Sequence, residues 1–123
     1  MAVLGAMMRD AESVGLVIEV LQDTDFYKPA HRKIYTAMQS LFEHSEPIDL
    51  ATVAAELEKT GDLEKCGGRA ALVDIADSVF TAANAQAHAR LVQDKAVLRQ
   101  LIKTSQHISE ACFSAPGEIG DLL

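Results

Sequence analysis

Tryptophan is absent from this chain, and aromatic residues of every kind make up only 5% of it. Any core must therefore be assembled from Leu, Ile, Val, Ala and Met, the side chains that pack helix against helix. Only two cysteines occur, Cys66 and Cys112, with no CxxC spacing. That argues against a disulfide framework and leaves reduced thiols in a cytoplasmic protein as the simplest reading. Apolar runs are short. None approaches the roughly 18 residues a membrane span needs, and Met1 to Met8 stops at Arg9-Asp10 without the basic lead of a signal peptide. Positive charge is also scarce, with 11 Lys and Arg against 18 Asp and Glu and a net charge of -7. The domain as a whole is thus ill suited to grip nucleic acid, whose phosphates are held mainly by Lys and Arg.

The motifs of catalysis are missing as well. There is no GxxxxGK[ST] loop to cradle a nucleotide's phosphates and no GxGxxG, so Gly67-Gly68 reads as a turn. His31, His44, His88 and His107 are scattered, with neither an HExxH nor an i, i+4 pair to share a metal. Asp23 and Asp25 are close in sequence, but no cleft for paired acid and base work is visible around them. No catalytic, cofactor-binding or metal-binding residue is expected in this chain.

What is present is helical. The 123 residues fit one domain, long enough to bury a core without staples. Ala2 to Met8 is apolar almost all round and opens without a capping residue, as if cut from a longer helix. Ala11 to Leu21 carries Val14, Val17, Ile18 and Leu21 at helical spacing. A polar turn over Gln22 to Lys28 follows, and Pro29 then suits the first turn of a helix. That helix presents Ile34, Met38, Leu41 and Phe42 and stops near His44, before Glu46-Pro47. Asp49 is an N-cap for a helix burying Leu50, Val53, Ala54 and Leu57, and Gly61 stops it. Leu63 to Cys66 makes one short turn, and Ala70 to Asp77 a further helix with Leu72, Val73 and Ile75 inward.

The last element is the longest. From about Ala83 to Phe113, Leu91, Leu98, Leu101, Ile102 and Ile108 recur at helical intervals, giving a rod near 45 Å at ~1.5 Å per residue. A rod longer than its own domain must project, and a projecting apolar stripe needs a partner. Pro116-Gly117 breaks it, and Glu118 to Leu123 looks like the start of a returning helix. Leu98, Leu101, Ile102 and Ile108 are expected to be covered by that hairpin or by a second copy. On the same rod Lys95, Arg99 and Lys103 are four apart and form a basic stripe. It is either a solvated face or a docking strip for an acidic partner or passing DNA. Phe26 and Tyr27 read as core plugs under the loop, Cys112 as a small core hydrophobe, and Cys66 beside two glycines as a thiol open to solvent.

Several stretches, taken in order, resemble the N-terminal domain of bacterial replicative DNA helicases of the DnaB type. They are Ala2 to Met8, then Asp25-Phe26-Tyr27-Lys28-Pro29-Ala30-His31 through Ile34-Tyr35, and Pro47-Ile48-Asp49-Leu50 with Val53. Gly67-Gly68 before Ala71-Leu72, and Thr81-Ala82-Ala83-Asn84, complete the series. Phe80 stands where that family often has proline, and His88 where it often has tyrosine.

The resemblance implies an all-α fold. A compact multi-helix orthogonal bundle, residues 1–82, would be followed over 83–123 by a long helix forming the first arm of a helical hairpin. It also implies a fragment of a larger protein and a scaffold role. Hairpins would pair into dimers, three dimers would form a collar on a hexameric ring, and the primase C-terminal domain and a helicase loader would dock there. ATP, magnesium and DNA would belong to a motor domain outside this sequence. Two rivals come from other classes. One is a free-standing helical adaptor. The other is a helix-turn-helix regulator built on Leu50 to Gly61 and Ala70 to Asp77, although the second of these helices brings Asp74 and Asp77 where a recognition helix needs basic or amide groups.

Overall fold

The computed structural model describes residues 2–78 and 84–114. They form six α-helices, α1 (Ala2–Arg9), α2 (Ala11–Val20), α3 (Pro29–Glu43), α4 (Leu50–Lys59), α5 (Gly68–Asp77) and α6 (Ala85–Ser114), with 3-10 turns at Asp23–Asp25 and Glu64–Cys66. No strand occurs among the described residues. The fold is all-α, as the resemblance implies. Phe80, most of the Thr81 to Asn84 stretch, Pro116-Gly117 and the returning segment Glu118 to Leu123 lie outside the described residues.

Local chemistry sets the helix starts. The Asp10 carboxylate accepts the Glu12 amide at 3.1 Å and the Ser13 hydroxyl at 3.2 Å, opening α2 one residue after α1 closes. Pro29 takes the first position of α3, where a missing N–H leaves nothing unpaired. Asp49 caps α4 reciprocally: its Oδ1 accepts the Thr52 amide at 2.9 Å, and Thr52 Oγ1 accepts the Asp49 amide at 2.9 Å. Gly67 has φ +93°, and a Cβ there would meet the Ala71 Cβ at 2.8 Å. Both demands call for glycine at the entry to α5.

Helix α1 is the centre of the head. Val3, Leu4, Ala6, Met7 and Met8 are all buried, which explains why this segment is apolar on every side. α2, α5 and α6 pack around it, and Arg9 ties its end to α5 by donating to the Ala76 carbonyl and pairing with Asp77 at 3.1 Å. Ile34, Met38 and Leu41 of α3 are buried as expected, with Val53, Ala54 and Leu57 of α4. Phe42 and Val73 are not. They lie toward the open edge of their helix faces and are exposed, and Leu50, at the first turn of α4, is half-buried.

The two aromatic residues of the loop part company. Phe26 is buried and stacks on Tyr35 with ring centroids 4.9 Å apart, while Tyr27 is 71% exposed. Adjacent residues in extended backbone point to opposite sides, so only one of the pair can enter the core. The hydroxyl that reaches a backbone partner inside is that of Tyr35, donating to the Leu21 carbonyl at 2.7 Å. Burial, with Asp25 and Asp23 nearby, pushes the Tyr35 hydroxyl from its ordinary 10.0 up to about 12. Cys66 is buried rather than open, its thiol directed at the Ala30 carbonyl at 3.7 Å, and burial raises its pKa. Cys112 is exposed on α6 rather than part of the core.

Candidate interaction surface

The 30 residues of α6 divide into two functional faces. Ala85 and Ala89 are buried against the head, and Val92 packs beside them. Their spacing of four and three continues through Ala96 and Arg99 to Lys103. Small residues at the start of this face let the helix lie close to α1 and α2, its main neighbours.

Two side chains then fasten the rod to the head. Gln93 Nε2 donates to the Val20 carbonyl at 3.0 Å, and Arg99 Nη2 donates to the Asp25 carbonyl at 2.9 Å. The Arg99 guanidinium also lies over the Tyr27 ring, 5.4 Å from its centroid. The exposed tyrosine is therefore a seat for the rod. From residue 104 to the end of α6 every residue except Ala111 is exposed. That stretch, residues 104–114, is 11 residues long, or about 16 Å.

The other face carries the stripe. Leu98 is 59% exposed, Leu101 57%, Ile102 58% and Ile108 59%, with Leu91 about two turns before Leu98 at 58%. Leu98 stands two positions after Ala96, about 200° around a helix of 3.6 residues per turn. The stripe therefore points away from the head, and nothing within the described chain covers it. Sequence reasoning placed these residues on the long helix but did not separate them from the second apolar face, that of Ala85, Ala89 and Val92.

The basic stripe does not act as one unit. Arg99 is turned onto the head, while Lys95 and Lys103 are exposed, so a uniformly solvated row is corrected to one anchored residue between two free ones. The four histidines stay dispersed, and among the described residues no three His, Cys, Asp or Glu side chains gather as metal ligands. The sequence contains no GxxxxGK[ST] loop of the kind that cradles a nucleotide's phosphates. No described helix is long and apolar enough to cross a membrane.

Comparison with known proteins agrees with this architecture. The family model described as the DnaB-like helicase N terminal domain matches residues 1–94. The replicative DNA helicase DnaC of Bacillus subtilis is 45% identical over 122 residues, covering 99% of this chain and 27% of that protein. The replicative DNA helicase DnaB of Leifsonia xyli is 42% identical over 120 residues, covering 98% and 26%. The chain thus spans about a quarter of the length of these relatives. Among solved structures, the N-terminal domain of Mycobacterium tuberculosis DnaB helicase superposes with a TM-score of 0.90 at 38% identity, covering 93% of this chain and 83% of that one. The Helicobacter pylori DnaB N-terminal domain, described with its interactions with primase, shares the fold at a TM-score of 0.76 and 21% identity, covering 90% and 86%. With its helical head, its long terminal helix and a family match over most of its length, this chain belongs to the DnaB-like helicase N-terminal domain family.

Proposed function

We infer that this chain serves as the collar and scaffold domain of a replicative DNA helicase, supporting ring assembly and presenting a platform for primase at the replication fork. The observation that carries this reading is the α6 rod, held to the head by one face while a continuous apolar stripe faces outward. A stripe of that kind on a protein with no catalytic constellation among its described residues is an assembly surface. A second copy, or the returning arm of a hairpin, would cover Leu98, Leu101, Ile102 and Ile108. Dimers paired in this way, three to a ring, would form the collar, and a helicase loader would meet the same ring. Nucleotide hydrolysis with ATP and magnesium, and movement on DNA, would reside in the remainder of a longer chain.

Two solved relatives, one from Helicobacter pylori and one a DnaB-like replicative helicase, are described with their interactions with primase. They make the primase C-terminal domain the partner to test first. Calorimetric titration of the cognate primase C-terminal domain into this chain should give saturable heat. A flat titration at concentrations well above those of the fork proteins would remove primase docking from the role and leave ring assembly alone.

A further inference from the structure

Where α6 meets the loop before α3, a groove of about 310 Å³ opens. Its lining includes Tyr27, Arg32, Arg99, Gln100, Ile102 and Lys103, and no carboxylate. Three cations facing one cleft are unusual in a chain whose net charge is -7. Both guanidiniums are held in place by neutral groups: Arg32 Nε donates to the Phe26 carbonyl at 2.6 Å and Arg99 Nη2 to the Asp25 carbonyl at 2.9 Å. The ion pairs among the described residues involve Arg9, Lys33 and Lys65, none of them in this groove. The nearby Asp25 carboxylate is engaged elsewhere, accepting the Gln22 amide at 2.8 Å.

Each guanidinium therefore keeps N–H donors to spare in a fixed orientation, the geometry that receives a carboxylate through two parallel bonds. Tyr27 and Ile102 supply an aromatic and an apolar wall beside them. We propose that this groove is a docking site for an acidic segment of a partner protein, one that brings carboxylates to Arg32, Arg99 and Lys103 and an apolar side chain to Tyr27 and Ile102. Charge complementarity selects this occupant over a nucleic acid. The cleft holds a few side chains, and a phosphate strand would run beyond it across a surface of the same sign as its own. Ile102 also belongs to the outward stripe, whereas the three cations and Tyr27 do not, so the groove borders the stripe and shares that one residue with it.

The test uses a fluorescein-labelled acidic peptide with a central leucine, its Asn/Gln counterpart and an oligo(dT) strand, followed by anisotropy at low salt. The acidic peptide should saturate the chain with a Kd below about 1 mM, and the amide counterpart should not. Lys103 makes no hydrogen bond or ion pair to the head among the described residues, so Lys103→Glu leaves the fold intact. It should weaken the peptide about tenfold or more, and a peptide carrying lysines in place of carboxylates should prefer the variant. Failure of the acidic peptide to saturate, equal affinity for Lys103→Glu, or tighter capture of oligo(dT) would each overturn the proposal.

Discussion

Replacing Leu101 by aspartate puts a carboxylate in the middle of the outward stripe of α6 while touching nothing in the head. The consequence can be worked from exposure. Leu98, Leu101, Ile102 and Ile108 each have between 57% and 59% of their surface still open to water. Full burial of a Leu or Ile side chain is worth about 1.5–3 kcal/mol, so completing the burial of each adds about 1–1.7 kcal/mol. Four such residues on each of two copies give about 8–14 kcal/mol, set against an association cost of about 4–15 kcal/mol. The balance is close. The 123-residue chain should accordingly associate weakly, showing a concentration-dependent mass rather than a permanent dimer.

In that setting Leu101→Asp removes about 2–3.4 kcal/mol across a two-fold pair, before counting the penalty for desolvating two carboxylates. The dimer dissociation constant should rise at least about thirtyfold, since each 1.4 kcal/mol is a factor of ten. Sedimentation velocity over a concentration series measures it, with far-UV circular dichroism confirming unchanged helix content. Wild type and variant remaining monomeric with equal mass up to about 1 mM would refute the area reasoning, because a stripe this apolar would then be stable in water at the concentration where a Kd of that size becomes visible.

Two further outcomes concern the head. Tyr35→Phe removes the hydroxyl that satisfies the Leu21 carbonyl and should cost about 1–3 kcal/mol in a denaturant titration. The folded pKa of Tyr35 is raised, so its protonated form stabilises the native state fully below pH 10 and that contribution is lost as pH rises to about 12; the variant should lack this alkaline loss. Cys66 is buried with its thiol pKa raised, whereas Cys112 is exposed, so at pH 8 a thiol reagent should label Cys112 first and reach Cys66 at the same rate only after unfolding. Equal labelling rates in the native chain would contradict the packing of Cys66 against α3.

Helix positions were legible in the sequence because their starts and stops are local chemistry. Asp49, Pro29 and Gly61 act within four residues of themselves, and the structure places the α3 and α4 boundaries within a residue or two of where those signals put them. The errors share one origin, that local pattern does not reveal which side the tertiary structure leaves open. Tyr27 and Phe26 are equally hydrophobic to a reader of sequence, yet α3 and α6 leave room for one ring only. Val73 and Phe42 share periodicity with buried neighbours but lie at the margin of the head. Cys66 looks exposed beside two glycines, until the chain folds back and brings it to Ala30, 36 residues away.

The long helix shows the same limit in its most instructive form. Ala85, Ala89 and Val92 satisfy the head, while Leu98, Leu101, Ile102 and Ile108 satisfy nothing in it. In sequence the two sets merge into one loosely amphipathic pattern, because the faces lie on opposite sides of one cylinder and each dilutes the other's periodicity. Only the anchoring contacts separate them. Gln93 and Arg99 help fix the rotation of the helix about its axis, and that rotation decides which residues face the head and which face solvent. Tyr27 and Asp25 thereby bear on the direction of the apolar stripe without belonging to it, since they hold Arg99. In the proposed assembly the head would specify direction and the stripe supply adhesion, so a substitution that loosened Arg99 should weaken self-association in sedimentation while leaving every apolar side chain in place.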